Sequence, residues 1–145
     1  MTKVSKEVVR RLVGEAREAL EEVREISTMD LNEFVRSRRA RFSLRYSVVL
    51  SLESLTDLAV AILEKDFDVM AESYREAFLK LAEKGIVNAE LAESMARLAG
   101  LRNMIVHRYW TIDDTRIYHS ARGSGVRAVE DFVEEVRRYV EAEDP

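Results

Sequence analysis

Apolar residues recur at helical spacing along most of the chain, and no stretch alternates apolar and polar residues as a strand would. The first helical segment covers residues 5–27, where Ser5 can cap the helix and charged side chains fill the outer face. A later segment opens with a capping box at Ser73 and Glu76 and ends before Gly85. Asn88 can cap the next helix, and a last helix covers residues 126–143. The pattern predicts one all-α domain over residues 1–145, an up-and-down bundle of four to five main helices.

The segment 42–66 is apolar around most of the helix circumference, which indicates a central helix or one that a second copy of the chain also covers. Asp57 falls in its most apolar part, so we expect a partnered buried acid there, with a site residue as the alternative. Gly100 interrupts the following helical pattern, where it costs roughly 1 kcal/mol relative to alanine. It therefore suggests that another backbone or a ligand comes close.

Composition narrows the classes of function. The chain has five glycines, one proline and no cysteine, which favours helices and excludes disulfides and thiolate metal sites. Two histidines far apart in sequence predict no zinc site, and no cofactor motif is present. The N-terminus lacks an apolar leader, and no run approaches the ~20 apolar residues of a membrane span, so we expect a cytoplasmic protein that binds no membrane.

Charge points weakly to an anionic ligand. The net charge is −4, so the overall charge of the protein does not favour binding to nucleic acid. However, 18 of the 23 basic residues are arginine, the residue preferred for bidentate contacts with phosphate or carboxylate groups. Four arginines crowd into residues 36–41. This run is either an RNA-binding patch or a solvated face that balances the acidic first helix. Its members are Arg36, Arg38, Arg39 and Arg41.

The densest chemistry lies in residues 102–110, at the end of a late helix. Arg102 can hold a phosphate and its transition-state charge, His107 can transfer protons near neutral pH, and Asn103 can support either. The set suits metal-independent RNA cleavage, in which the ribose 2′-OH attacks its own phosphate. The alternative is a helix end with a hydrogen-bonded histidine and an aromatic plug.

Helical geometry places the side chains of Arg102 and His107 on different sides of the helix. Five residues of α-helix turn Arg102 and His107 roughly 140° apart. One helix does not aim both side chains at one small ligand, whereas a two-fold interface brings Arg102 of one chain near His107 of another. The sequence therefore predicts a homodimer with shared sites, which would also bury the apolar excess of the central helix.

The pattern Arg102, four residues, His107, one residue, Tyr109 resembles the signature of the HEPN superfamily, and more narrowly of its HepT-like branch. Matching stretches cover residues 73–78, 81–86, 100–103 and 107–113. The resemblance extends over about residues 38–139.

This resemblance implies an all-α homodimer that acts as a metal-independent endoribonuclease toxin of a type II toxin–antitoxin pair. It implies that Arg102 and His107 are catalytic and that Asn103 supports them. Apart from the resemblance, we expect Arg108 to join the RNA-binding arginines. The implied partner is an MntA-like nucleotidyltransferase antitoxin, which would neutralise the toxin by adding AMP to Tyr109. The alternative is a non-catalytic helical subunit that binds such a nucleotidyltransferase or its substrate.

Overall fold

The computed structural model describes residues 2–108 and 111–143, and these residues form seven helices without a strand. In chain order the helices are α1 Lys6–Ser27, α2 Leu31–Arg36, α3 Arg38–Phe67, α4 Tyr74–Glu83, α5 Ala89–His107, α6 Asp114–Ala121 and α7 Ser124–Glu143. The all-α prediction is confirmed. α1, α3, α5 and α7 are the long elements, and α2, α4 and α6 are short helices between them.

The main core forms around α3, which packs against α1, α4 and α5, while α7 covers α5. Leu55, Leu58 and Ile62 of α3 are completely buried. Phe78 of α4 meets Phe132 of α7 edge to face, with ring centroids 5.2 Å apart. Because α3 contributes buried residues on several sides, its broad apolar circumference is explained largely within one chain.

A second, smaller core supports the C-terminal end of α5. Ile105 is buried there beside Leu44 of α3 and residues of α1, α2 and α6. Phe34 stacks on Tyr118 at a centroid distance of 4.8 Å, and the Tyr118 hydroxyl donates a hydrogen bond to the Met29 carbonyl at 2.5 Å. This cluster fixes where α5 ends and where its last side chains emerge.

Local capping agrees with the sequence. The side chains of Ser5, Ser73 and Asn88 accept hydrogen bonds from the first turns of α1, α4 and α5. Glu76 departs from the predicted capping box, because its carboxylate accepts the N–H of Glu72 and not that of Ser73. Gly85 has a φ of +77°, the left-handed conformation that ends α4.

Gly125 and Gly100 differ in how closely other parts of the chain approach them. The sequence predicts a last helix that begins at residue 126, but α7 begins at Ser124. Gly125 is needed because a Cβ would lie 2.6 Å from the Ser120 Oγ and 2.9 Å from its carbonyl oxygen. Gly100 shows the reverse: apart from the neighbouring backbone of α5, no atom of the described residues lies within 4 Å of an added Cβ, so no other part of the described chain comes close there.

The prediction of a buried, partnered acid at position 57 is wrong, since the Asp57 side chain is exposed. Partial desolvation, together with the nearby carboxylates of Glu53 and Glu15, raises its pKa. Glu53, Asp57 and Glu64 recur at helical spacing and form the narrow polar stripe of α3.

By length and composition α3 could cross a membrane, contrary to the expectation from the sequence. An 18-residue window within it has a mean hydropathy of 1.6. The central helix of a globular bundle passes the same test, and 56% of this window is buried inside the protein. Packing against α1, α4 and α5 therefore explains its apolar character.

Candidate active site

The last two turns of α5 present the motif residues. Asn88 caps the start of this helix, and Ile105 anchors its end in the second core. The helix stops at His107, where the Arg108 N–H still donates to the Met104 carbonyl at 2.8 Å. Arg108 is exposed, and its carbonyl accepts the N–H of Thr111 at 3.0 Å. Arg108 is thus the C-cap of α5.

Arg102 points inward, between three helices. Its Nη2 lies 2.6 Å from Oε1 of Glu53 on α3, and only 12% of its side chain is exposed. Its guanidinium carbon sits 4.3 Å from the ring centroid of Tyr74, the first residue of α4. Its Nη1 donates a hydrogen bond of 3.0 Å to Oδ1 of Asn103. The cation is therefore held by a carboxylate, an aromatic face and an amide.

One group in this cluster lacks a partner. The Nε of Arg102 is buried, and no hydrogen-bond acceptor among the described residues reaches it. An unsatisfied buried donor costs roughly 1–3 kcal/mol, and such groups call for a structural or functional reason.

His107 lies apart from this cluster. Its side chain is exposed at the end of α5, and no described residue forms a hydrogen bond with its imidazole. The five-residue separation corresponds to about 7.5 Å along the axis and about 140° around it. The structure therefore brings Arg102 and Asn103 together but leaves His107 facing solvent, in agreement with the divergence inferred from the sequence.

The basic run occupies the junction of α2 and α3. Arg36 ends α2, Ser37 caps α3, and Arg38 and Arg39 stand exposed in the first turn of α3. Arg41 differs because its guanidinium is only 26% exposed and lies 3.5 Å from an oxygen of Asp114. Three of the four arginines thus remain open to a ligand.

Asp114 joins α6 to α3 just after the motif. Arg45 donates two hydrogen bonds of 2.7 Å to its two carboxylate oxygens. These bonds raise the pKa of Arg45 and outweigh the effect of its burial. Asp113, the N-cap of α6, accepts hydrogen bonds from the hydroxyl and N–H of Thr115, and the hydroxyl bond is the main cause of its lowered pKa. Both ends of the segment that follows His107 are therefore anchored.

Tyr109, the expected modification target, lies outside the described residues. His119, for which the sequence suggested no role, is exposed and packs edge to face on Tyr118 at 5.5 Å.

Sequence reasoning missed Glu53 and Tyr74 as parts of the Arg102 environment. Glu53 lies 49 positions from Arg102, so no local spacing connects the two. The available signals were indirect: Glu53 is one of two carboxylates in the middle of an apolar segment, and Tyr74 is a tyrosine within the block at 73–78.

A model of the family described as Ribonuclease HepT-like matches residues 16–136. The chain belongs to this family. Of its relatives, a protein of Archaeoglobus fulgidus is 33% identical over 97 residues, which cover 63% of this chain and 73% of that protein. A protein of Aphanizomenon flos-aquae named tRNA nuclease HepT is 26% identical, covering 68% of this chain and 67% of its own length. A protein of Shewanella oneidensis named mRNA nuclease HepT is 29% identical, covering 54% and 62%.

Solved structures share the fold of this HepT-like chain. One is the tri-AMPylated Shewanella oneidensis HEPN toxin in complex with MNT antitoxin, with a TM-score of 0.85 at 17% identity. It aligns over 92% of this chain and 99% of that one. Another is YutE from Bacillus subtilis, described as a cytosolic protein of unknown function, with a TM-score of 0.84 at 18% identity over 99% and 96% of the two chains. The HEPN-type helical architecture is thereby confirmed.

Proposed function

We propose that this HepT-like protein is a metal-independent endoribonuclease. The observation that carries the proposal is the fixed Arg102 guanidinium, held by Glu53 and Asn103 on the helix that ends with the exposed His107. Arg102 and Asn103 would bind the scissile phosphate and stabilise its growing negative charge. These residue types suit RNA because its 2′-OH supplies the nucleophile.

In the proposed reaction the ribose 2′-oxygen forms a bond to phosphorus while the bond to the 5′-oxygen breaks. The products are a 2′,3′-cyclic phosphate and a 5′-hydroxyl. The 2′-OH gives up its proton, and the leaving 5′-oxygen takes one. His107 is placed to perform one of these transfers, since imidazole exchanges protons near neutral pH.

We infer that the complete site is shared by two copies of the chain in a homodimer. Phe42 and Tyr46 on α3 are 53% and 66% exposed, and Met104 and Val106 on α5 are 37% and 40% exposed. Both pairs flank residues of the second core, Leu44 and Ile105, so they mark one end of the molecule. Exposed apolar side chains concentrated beside a motif are typical of an interface. A two-fold axis there would oppose Arg102 of one copy to His107 of the other.

We further propose control by an MntA-like nucleotidyltransferase antitoxin that adds AMP to Tyr109. Support comes from the fold shared with the tri-AMPylated Shewanella toxin in its antitoxin complex. Tyr109 follows His107 by two residues, next to the exposed Arg108. AMP there would place a negatively charged phosphate where RNA phosphate would bind.

The substrate class is RNA, in line with relatives named as a tRNA nuclease and an mRNA nuclease. Arg36, Arg38, Arg39 and Arg108, exposed near α2, α3 and the end of α5, would contact its backbone. Arg41 would contribute only if its ion pair with Asp114 broke.

We place the protein in the cytoplasm, like the YutE protein whose fold it shares.

The experiment compares wild type with His107→Ala on RNA in excess EDTA. We expect cleavage by wild type with 2′,3′-cyclic phosphate ends, and a loss of at least about 100-fold in His107→Ala, the scale of general acid–base catalysis. Cleavage that requires Mg²⁺, or that survives the substitution, contradicts the proposal.

Co-expression with the nucleotidyltransferase should add mass in AMP steps, which Tyr109→Phe should abolish. Mass gain without RNA cleavage would favour the non-catalytic partner.

A further inference from the structure

Arg102 occupies an environment more elaborate than a phosphate-binding arginine needs. Its Nη2 contacts Glu53 at 2.6 Å, although Glu53 itself is 42% exposed and could turn to water. Its guanidinium carbon lies over the ring of Tyr74, 4.3 Å from the centroid. A carboxylate beside a phosphate-binding cation reduces the positive charge that an RNA phosphate would meet. This arrangement weakens the binding of an RNA phosphate to Arg102, so the contact with Glu53 must serve a purpose other than affinity.

The contacts with Glu53, Tyr74 and Asn103 can fix the orientation of the Arg102 guanidinium. A guanidinium has five N–H groups in a rigid fork. Glu53 takes one from Nη2 and Asn103 takes one from Nη1, while the Nε–H is buried. By count, one N–H on each terminal nitrogen is left, and two N–H groups of a guanidinium can bind two oxygens of one phosphate. Glu53 and Tyr74 therefore determine which edge of Arg102 is presented.

Tyr74 is itself fixed by the loop before α4. The Ser73 hydroxyl caps the helix by accepting the Glu76 N–H at 3.1 Å. Lys80 pairs with Glu76 at 2.8 Å and donates to the Met70 carbonyl at 3.1 Å. This loop thus keeps the ring in place over the guanidinium.

We propose that Glu53 and Tyr74 are positioning residues for Arg102: they hold its guanidinium in one orientation for the transition state at the cost of weaker RNA binding. The inference rests on the proposed function, in which Arg102 acts on the scissile phosphate. It predicts that removing the Glu53 charge moves binding and catalysis in opposite directions, because a freed cation binds phosphate better but is no longer aligned.

The test measures cleavage and the binding of a 2′-O-methyl oligoribonucleotide, which has no free 2′-OH and cannot be cut. For Glu53→Gln we expect kcat to fall about 10- to 100-fold, since small misplacements of a catalytic group have effects of that size. The Kd for the uncleavable RNA should fall severalfold. Glu130→Gln is the matched control, because Glu130 also pairs with an arginine, at 2.7 Å from Arg24, and is 44% exposed. It should change neither quantity.

The aromatic face is tested by two substitutions of Tyr74. Tyr74→Phe keeps the ring and should retain kcat within about twofold, whereas Tyr74→Leu removes the cation–π contact and should lower kcat like Glu53→Gln. A general loss of folding would instead lower the melting temperature and weaken RNA binding in step with kcat. That result, or unchanged kcat and Kd in Glu53→Gln, overturns the inference.

The inference and the proposed function can fail separately. If wild type cleaves no RNA, the proposed function fails, but tighter binding in Glu53→Gln that vanishes in Glu53→Gln/Arg102→Ala still supports the restraint of Arg102 by Glu53. If wild type cleaves in a His107-dependent manner while Glu53→Gln behaves as wild type, the positioning role alone is overturned.

Discussion

Two charged clusters connect the central helix α3 to other parts of the molecule, and they use their hydrogen-bonding capacity differently. Asp66, near the end of α3, accepts hydrogen bonds from the Thr2 hydroxyl, the Lys3 N–H and the Tyr139 hydroxyl at 2.6–2.7 Å. Both of its oxygens are engaged, and they fasten the N-terminus and α7 to α3. Three of the roughly four acceptor sites of this carboxylate are thus used by groups of the chain itself.

The Arg102 cluster is open by comparison. Glu53 and Asn103 engage two of its donors, its Nε has no acceptor among the residues described, and two further N–H groups are left over. Closed clusters stabilise a fold, whereas a fixed group with spare donors is prepared for something outside the chain. On our proposal, this contrast distinguishes a structural cluster at Asp66 from a functional one at Arg102.

The largest effect that tests this contrast is expected for Arg102→Lys. Lysine keeps the positive charge but loses the planar fork that fits two phosphate oxygens. We expect RNA cleavage to fall about 100- to 1000-fold, the usual loss when a donor to the transition-state oxyanion is removed. A melting curve should show little change. Near-normal cleavage would mean that charge alone suffices and that the orientation of Arg102 is unimportant.

Asp66→Asn should show the opposite profile, with stability reduced and catalysis retained. Losing the charge from three hydrogen bonds should lower the free energy of unfolding by about 1–3 kcal/mol at neutral pH. Burial opposes ionisation of Asp66, but the hydrogen bonds from Lys3, Thr2 and Tyr139 outweigh it and lower its pKa.

The lowered pKa of Asp66 determines how the loss of stability in Asp66→Asn depends on pH. A pKa lowered on folding stabilises the protein above the pKa of the unfolded chain, and this contribution disappears as the pH falls through the folded-state pKa. Denaturant unfolding of wild type and Asp66→Asn should therefore converge in acid. A constant difference at every pH would contradict the assignment.

Alanine substitutions at two glycines should have smaller effects on stability, and the two effects should be opposite in sign. Gly125→Ala would force a Cβ against Ser120 and should destabilise the α6–α7 corner by about 1–3 kcal/mol. Gly100→Ala meets no atom of the described residues beyond the neighbouring backbone of α5 and should stabilise the monomer by up to about 1 kcal/mol. Thermal melts compare the two. If Gly100→Ala instead weakens self-association, a second copy approaches α5 there.

The smallest effect concerns the basic junction. Arg39→Glu should weaken the binding of uncleavable RNA at 50 mM salt by several-fold and much less at 200 mM, because its contribution is electrostatic. Lys65→Glu, the same charge reversal at the other end of α3, serves as control. Equal weakening by both substitutions would indicate a general field and no patch at residues 36–41.

What the sequence predicted correctly is local. Ser5, Ser73 and Asn88 cap the helices expected of them because capping depends on residues within one turn. The divergence of Arg102 and His107 also follows from helix geometry alone. Asp57 was misjudged because its apolar neighbours in sequence point elsewhere, while it shares an outer stripe with Glu53 and Glu64.

Contacts between helices could not be predicted from local patterns. Glu53 meets Arg102 across 49 positions, and Arg45 meets Asp114 across 69. The start of α7 was placed late because a Gly-Ser-Gly run usually forms a turn, whereas here Gly125 allows α7 to approach Ser120. Such features depend on the packing of the whole chain.

The most direct test of a site shared by two chains is complementation between two inactive variants. Arg102→Ala and His107→Ala are co-expressed with different tags, and RNA cleavage by the isolated mixed dimer is measured in EDTA. If each site combines Arg102 of one copy with His107 of the other, the mixed dimer keeps one intact site of two. About half of wild-type activity per dimer should then return. A mixed dimer as inactive as each parent, or a protein that stays monomeric while it cleaves RNA, would contradict the account.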